Sequence, residues 1–306
     1  MGEASFYKYL GLKSDGTVRA DFLTNGLFRF TQPNKLNDPF EVNPRILMDA
    51  CSDEDRELAE KQALEMGFPP DQIDRWLPLF LDTLPKERMT VEEFPGLAYP
   101  EGINSLQELD AHNAKKELDG LLKHINETYG IFCLSTSKEN LVMWSLYAAA
   151  HKGVVIGFDG NHPFFQDSHD FHPVEYAEER LSLSSNSGYL RLIGTRFSSE
   201  SHYKDLPIRL FLRKHPNWKK EEEWRMIRRL DEATCRSAED PSVYLFEIPK
   251  DAIETVILGA QISKDNREQI CRLVSGSDKC SHIQILQADL SSSTFGLEFR
   301  ELVGPS

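Results

Sequence analysis

Three consecutive acids, Glu221-Glu222-Glu223, lie in the run Trp218-Lys219-Lys220-Glu221-Glu222-Glu223-Trp224-Arg225, just ahead of an apolar stretch. Strand side chains alternate between faces, so Glu221 and Glu223 are expected to share one face. Two carboxylates side by side can divide labour. One stabilises a developing sugar cation, and the other positions or deprotonates a nucleophile. The competing expectation is a solvated turn whose acids pair with Lys219, Lys220 and Arg225.

A second run, Cys133-Leu134-Ser135-Thr136-Ser137, closes a strand-like stretch and precedes a helical one. Hydroxyls placed there orient a ligand or brace a carboxylate, while Thr136 or Ser137 equally suits a helix N-cap. In Met143-Trp144-Ser145-Leu146-Tyr147-Ala148, the residues Trp144, Tyr147 and Ala148 fall on one helix side, a stripe typical of core. His151 follows Tyr147 at i+4, which would bring two polar handles together. Asn37-Asp38-Pro39-Phe40-Glu41 has the chemistry of a rigid turn, with the Asn37 amide as a candidate ligand contact. His162, His169 and His172, with Asp167 and Asp170 between them, lack the helical spacing of zinc motifs, and no metal is expected. Cys133 with His151 is a further candidate, as thiol nucleophile and base, although a cysteine in an apolar strand is usually inert.

Several elements must position these groups. Short strands are expected at Phe6 to Tyr9, Gly26 to Phe30, Ile131 to Leu134, Gly153 to Phe158 and Val174 to Ala177. Others are expected at Trp224 to Arg228, Val243 to Ile248, Thr255 to Leu258, Ile283 to Leu286 and Phe295 to Leu302. Capping boxes at Ser52/Asp55 and Ser105/Glu108 open two helices, and a third runs from Asp71 to Thr83 with Pro78 inside. Further helices are expected from Lys138 to Ala150 and after Ser263. Residues 160 to 201, with the serine-rich 182 to 188, read as a long loop carrying one strand. Strands from both chain ends and an early block of helices argue for an α+β fold. Its core would be a mixed, largely antiparallel sheet, in one domain spanning 1–306 with a helical insertion at 52–128.

With 306 residues, 40% of them hydrophobic, the chain has ample material for a buried core, which rules out a disordered polymer. Lys and Arg number 35 against 49 Asp and Glu, a formal charge of −14 that argues against loose adhesion to nucleic acid or anionic lipid. Arg209, Arg213, Lys214, Lys219 and Lys220 nevertheless form a local basic stretch, which leaves a nucleic-acid acceptor open beside a protein one. Five cysteines without a C-x-x-C pair support neither a disulfide framework nor a thiolate zinc site. No run approaches the roughly 18 to 20 apolar residues of a bilayer span, and no signal-peptide pattern opens the chain. The expectation is a cytoplasmic protein without a membrane partner.

FYKY near the start, GLFRFTQPNKLNDPFE, CLS followed by MWSLYA, HKGVVIGFD and the W-x-x-E-x-EWR run occur in that order. In combination they resemble a bacterial family known as domain of unknown function 2971, some of whose relatives occur in phage-defence settings. The chain is also similar to the ADP-ribosyltransferase fold of the arginine-serine-glutamate type. That resemblance rests on Lys8, then Ser135-Thr136-Ser137, then Glu221-Glu222-Glu223. It implies NAD as substrate, with Glu223 holding the nicotinamide ribose, Glu221 orienting the acceptor, Ser135 bracing the site and Lys8 holding NAD. Tyr9, Trp144, Tyr147 and Asn37 would line the nucleotide pocket. Lys8 departs from the arginine of that pattern and lacks its bidentate fork. The alternative implied by the same motifs is a non-enzymatic module that senses a ligand or protein in bacterial defence.

Overall fold

The computed structural model describes residues 5–48, 53–81, 89–90, 106–166, 168–185 and 206–302. The caps expected at Ser52 and Ser105, the end of the serine-rich run at 186–188, and Asp167 lie outside these residues. In chain order the early strands are β1 (Ser5–Leu10), β2 (Leu27–Phe30), β3 (Arg45–Met48), β4 (Met89–Thr90) and β5 (Tyr129–Ser135). Next come β6 (Val154–Asp159), β7 (Phe171–Pro173), β8 (Glu175–Tyr176), β9 (Ser182–Ser185), β10 (Arg213–Lys214) and β11 (Glu223–Arg229). The last are β12 (Cys235–Arg236), β13 (Tyr244–Glu247), β14 (Ile253–Leu258), β15 (Gln284–Leu290) and β16 (Leu297–Glu301). Helices are α1 (Asp21–Asn25), α2 (Asp53–Glu65), α3 (Pro70–Leu81), α4 (Leu106–Thr128), α5 (Leu141–Tyr147), α6 (Pro163–Gln166), α7 (Leu206–Phe211) and α8 (Lys264–Ser275).

The fold is α+β, and the chain forms two compact units. The first comprises Met1–Asn37, Glu127–Glu178 and Phe211–Ser306; the second comprises Asp38–Asn126 and Glu179–Leu210. The second therefore contains most of the expected 52–128 helical block, together with the three-stranded sheet β4-β3-β9. Within it, Ala59, Ala63 and Ile73 are buried, as the apolar periodicity of α2 and α3 requires.

The first unit is built on an eight-stranded sheet of order β16-β15-β14-β6-β1-β5-β11-β7. All neighbours are antiparallel except the parallel pair β14 and β15, which α8 connects. Ser263 caps α8 by accepting a hydrogen bond from the Asn266 backbone N–H, the role its position predicts.

Both faces of the sheet's centre are covered, which explains the near-continuous apolar run VVIGF of β6. One face carries Phe6, Phe28, Phe132, Ile156, Phe158 and Met226, with Ile270 and Val274 of α8 packed into the same core. The other carries Tyr9, Val155, Ile257 and Leu286, covered by Trp144 and Ala148. Each fully buried large side chain contributes about 1.5–3 kcal/mol.

Helix α5 is shorter than the expected Lys138 to Ala150. Its N-cap is Asn140, whose side chain accepts from the Val142 and Met143 N–H groups at 3.0 and 3.2 Å, so neither Thr136 nor Ser137 caps it. After Tyr147 the chain leaves the helix through three left-handed residues, Ala149, Ala150 and His151. The i, i+4 relation between Tyr147 and His151 therefore does not form. His151 stacks on Trp144 instead, with ring centroids 5.8 Å apart.

Candidate functional site

The two acids come together by a route other than strand alternation. Glu223 begins β11, but Glu221 closes a 3-10 turn over Pro216–Glu221, and Glu222 between them is left-handed at φ 47°. Pro216 suits the first position of that turn, and His215 Nδ1 caps it by accepting from the Asn217 N–H at 3.2 Å. The left-handed step returns both buried carboxylates to one cation, Lys214. Its Nζ donates to Glu221 Oε2 at 2.5 Å and to Glu223 Oε2 at 3.0 Å. Lys214 is in turn registered beside Tyr176 in the parallel ladder of β10 and β8, and the Tyr176 hydroxyl accepts the Glu223 backbone N–H at 2.9 Å.

Arg225 completes the cluster. Its Nε and Nη2 donate to the two oxygens of Glu223 at 2.8 and 2.9 Å, and its Nη1 donates to the Phe211 carbonyl at 2.6 Å. On the neighbouring strand, Ser135 is the direct register partner of Glu223, and Tyr7 of β1 is in turn the partner of Ser135. Ser135 is fully buried, and its Oγ accepts from the Ser137 N–H at 3.2 Å. Thr136 binds the middle acid, its hydroxyl donating to Glu222 Oε2 at 2.7 Å.

Helix α5 supplies the third wall. The Asn140 side-chain amide donates to the Lys220 carbonyl, which fastens the start of α5 to the acid-bearing turn. One helix length on, the Tyr147 hydroxyl donates to Glu221 Oε1 at 2.7 Å and accepts from Asn37 Nδ2 at 2.8 Å. Exposed Asn37, half-buried Tyr147 and buried Glu221 thus form a graded polar line from solvent to the cluster.

The environments of the two acids differ in sign. Burial raises the Glu221 carboxyl above its ordinary value, against the pull of Lys214 and Tyr147. Burial acts on Glu223 in the same sense, but the charges of Arg225 and Lys214 overcome it and hold that carboxyl at about 2. Burial, followed by the charge of Glu223, pushes the Cys133 thiol up to about 12, and the thiol hydrogen-bonds the same carboxylate. A thiol kept neutral in this way is no nucleophile.

The structure therefore brings Glu221, Glu223, Ser135, Tyr147 and Asn37 to one end of β5 and β11. It does not bring Lys8 there. Lys8 lies on the sheet face of Phe6; its ammonium donates to the Cys133 carbonyl at 2.9 Å and stands 4.7 Å from the Phe132 ring centroid. Tyr9 and Trp144 are core residues in an edge-to-face pair 5.6 Å apart, with Tyr9 donating to the Ser137 carbonyl at 2.8 Å. Neither contributes a surface to the acid cluster. Lys219 and Lys220 do not pair with the acids, whereas Arg225 does, as a buried partner. Lys214, read in sequence as part of a basic patch, is 4% exposed. Among the described residues, no three or more of His, Cys, Asp and Glu are grouped to hold a metal ion.

This geometry defines an α+β protein with a buried, charge-balanced acid pair at a strand end. Residues 143–226 match the model of the family described as protein of unknown function (DUF2971), a span that includes α5, Lys214, Glu221 and Glu223. The matched span is narrower than the motifs of the sequence, which run from the first strand onward. No curated protein and no solved structure matches the chain. Among the described residues, no helix is long and apolar enough to cross a membrane.

Proposed function

We propose that the protein cleaves the nicotinamide–ribose bond of NAD and passes the ADP-ribosyl group to an acceptor or to water. The observation that carries this reading is the divergence of the two acids around Lys214. Glu223 stays ionised at about 2 and Glu221 is pushed upward, beside the hydroxyl of Ser135. Breaking an N-glycosidic bond builds positive charge on the ribose, which a carboxylate ionised throughout the working pH range stabilises. The acid with the raised value is the one suited to exchange a proton with an attacking hydroxyl. Asn37 and Tyr147 give the substrate a polar path toward it.

A second reading is favoured by the charge balance. Glu221 and Glu223 together match Lys214 and Arg225, so the acids already have full partners without a substrate. On that reading the cluster is the rigid floor of a ligand-sensing module, with Asn37 and Tyr147 as its polar rim.

Incubation with NAD and chromatographic measurement of free nicotinamide separates the two. Catalysis predicts release by the wild type, a fall of about a hundredfold or more in Glu223→Gln, and selective loss of acceptor transfer in Glu221→Gln. Because Glu223 holds a buried guanidinium, each variant is melted alongside, and Glu223→Asp keeps the charge if the amide variant does not fold. Wild-type turnover in folded Glu223→Gln, or nucleotide binding by the wild type without nicotinamide release, overturns the catalytic reading.

A further inference from the structure

The two edges of the eight-stranded sheet are finished differently. β7 has three residues and ends at Pro173, which has no N–H to offer a further strand. β16 has five residues, Leu297-Glu298-Phe299-Arg300-Glu301, with neither proline nor bulge. Leu302 N donates to Ile285 O at 2.9 Å and Ser291 N to Gly296 O at 3.0 Å, so the even-numbered positions of this segment turn their backbone groups toward β15. Leu297, Phe299 and Glu301 consequently turn theirs outward. Among the described residues no strand pairs with that outer edge.

We infer that β16 pairs antiparallel with β16 of a second copy of this chain, about a two-fold axis at Phe299. Charge register carries the argument. Centred there, Glu298 of each copy faces Arg300 of the other, so the edge is complementary to itself. Phe299 faces Phe299 on the opposite side of the ribbon, where Leu297 and Phe299 already pack against the Trp144 cluster. The outward-turned residues supply about six backbone hydrogen bonds. Alternative registers lose this match. A centre at Glu301 sets like charges against each other, and a centre at Leu297 moves Arg300 away from Glu298 of the other copy, leaving it paired with Asp289 of its own chain, 3.0 Å from Nε. A one-residue slip meets backbone groups already bonded to β15. Leu290 and Phe295, 68% and 103% exposed at the hairpin end beside this edge, provide apolar surface for a second copy to cover. The inference is independent of the reaction proposed above.

Sedimentation of the full chain at about 100 μM tests it, a concentration at which an interface of this kind is populated. The wild type is expected at twice the monomer mass. Glu298→Arg is expected to weaken the dimer about tenfold, because two favourable pairs become two repulsive ones. The double reversal Glu298→Arg with Arg300→Glu is expected to restore it. Both positions are at the surface, and melting curves confirm that the variants fold. A monomeric wild type, an unweakened Glu298→Arg, or a folded double reversal that stays monomeric each overturns the inference.

Discussion

Arg225 grips Glu223 from two positions along the same strand, with Nε 2.8 Å from Oε1 and Nη2 2.9 Å from Oε2. Residues at i and i+2 of a strand share a face, and here that ordinary relation produces a bidentate ion pair whose members are 1% and 6% exposed. Lys214 and Glu221 extend it into a four-membered network at the mouth of β5 and β11.

Breaking a buried pair on one side strands the other charge. Arg225→Met is expected to cost about 3–5 kcal/mol, because Glu223 then loses one of its two cations and keeps Lys214 as the other. Calorimetry should register a fall in Tm of roughly 10 °C. A loss under about 1 kcal/mol would mean that the guanidinium is not the principal partner of Glu223.

The acid limb of the stability curve has a definite sign. The Glu223 carboxyl sits at about 2 against an ordinary 4.5, so its ionised form stabilises the native state above pH 4.5, and that contribution is lost as pH falls from 4.5 through about 2. The contribution is of order 3 kcal/mol. Glu221 acts in the opposite direction: its raised value means that ionisation costs stability at neutral pH and protonation recovers some of it. Denaturant melts between pH 4.5 and 2 should give a flatter curve for Glu223→Gln than for the wild type, whereas Glu221→Gln should act above pH 4.5, where it removes a loss of stability that grows as pH rises. Parallel curves for Glu223→Gln and the wild type would contradict the assignment.

Alkylation should discriminate sharply among the cysteines. Cys235 is exposed, whereas the Cys133 thiol is held at about 12 and bonded to Glu223. Mass spectrometry after treatment of the native protein with iodoacetamide is expected to find Cys235 modified and Cys133 untouched until denaturant is added. Labelling of native Cys133 would revive a thiol mechanism.

Gly153 opens β6 against the end of β1, where an added Cβ would stand 2.1 Å from the Leu10 carbonyl oxygen and 3.1 Å from that of Ala148. Both neighbours are backbone and cannot swing aside. Gly153→Ala is therefore expected to destabilise by about 3 kcal/mol, read as a shifted denaturation midpoint with unchanged slope.

Much of this frame is legible in the residues themselves. The β-branched and aromatic runs of β5, β6, β11 and β14 are strands, and Ser263 opens α8 where its hydroxyl predicts. Helix α1, five residues at Asp21–Asn25, carries too few turns to show a period. The neighbourhood of Glu221 and Glu223 was legible, but its cause was not. Alternation along a strand predicts a shared face, whereas the chain achieves it through the left-handed Glu222 after a 3-10 turn. Lys214 was hidden among surface-type basic residues, because its burial depends on Tyr176 and the acids, contacts that composition does not encode. The arginine two places after Glu223 was the available signal, since alternation puts it beside that acid. Lys8 shows the converse: motif order suggested a site residue, while the odd–even phase of β1, with Phe6 and Lys8 on one face and Tyr7 and Tyr9 on the other, sends it to the opposite side of the sheet from Ser135 and Glu223.

The place of β1 between β5 and β6 has a consequence for biogenesis. It leaves the ribosome ahead of both of its flanking strands, which lie beyond residue 128, at Tyr129–Ser135 and Val154–Asp159. The nascent FYKYL segment must therefore wait, unpaired, until those strands are synthesised, and then close a long loop before any of its ladder forms. Such non-local pairing slows folding, and it makes this short apolar stretch the natural point of chaperone contact during synthesis.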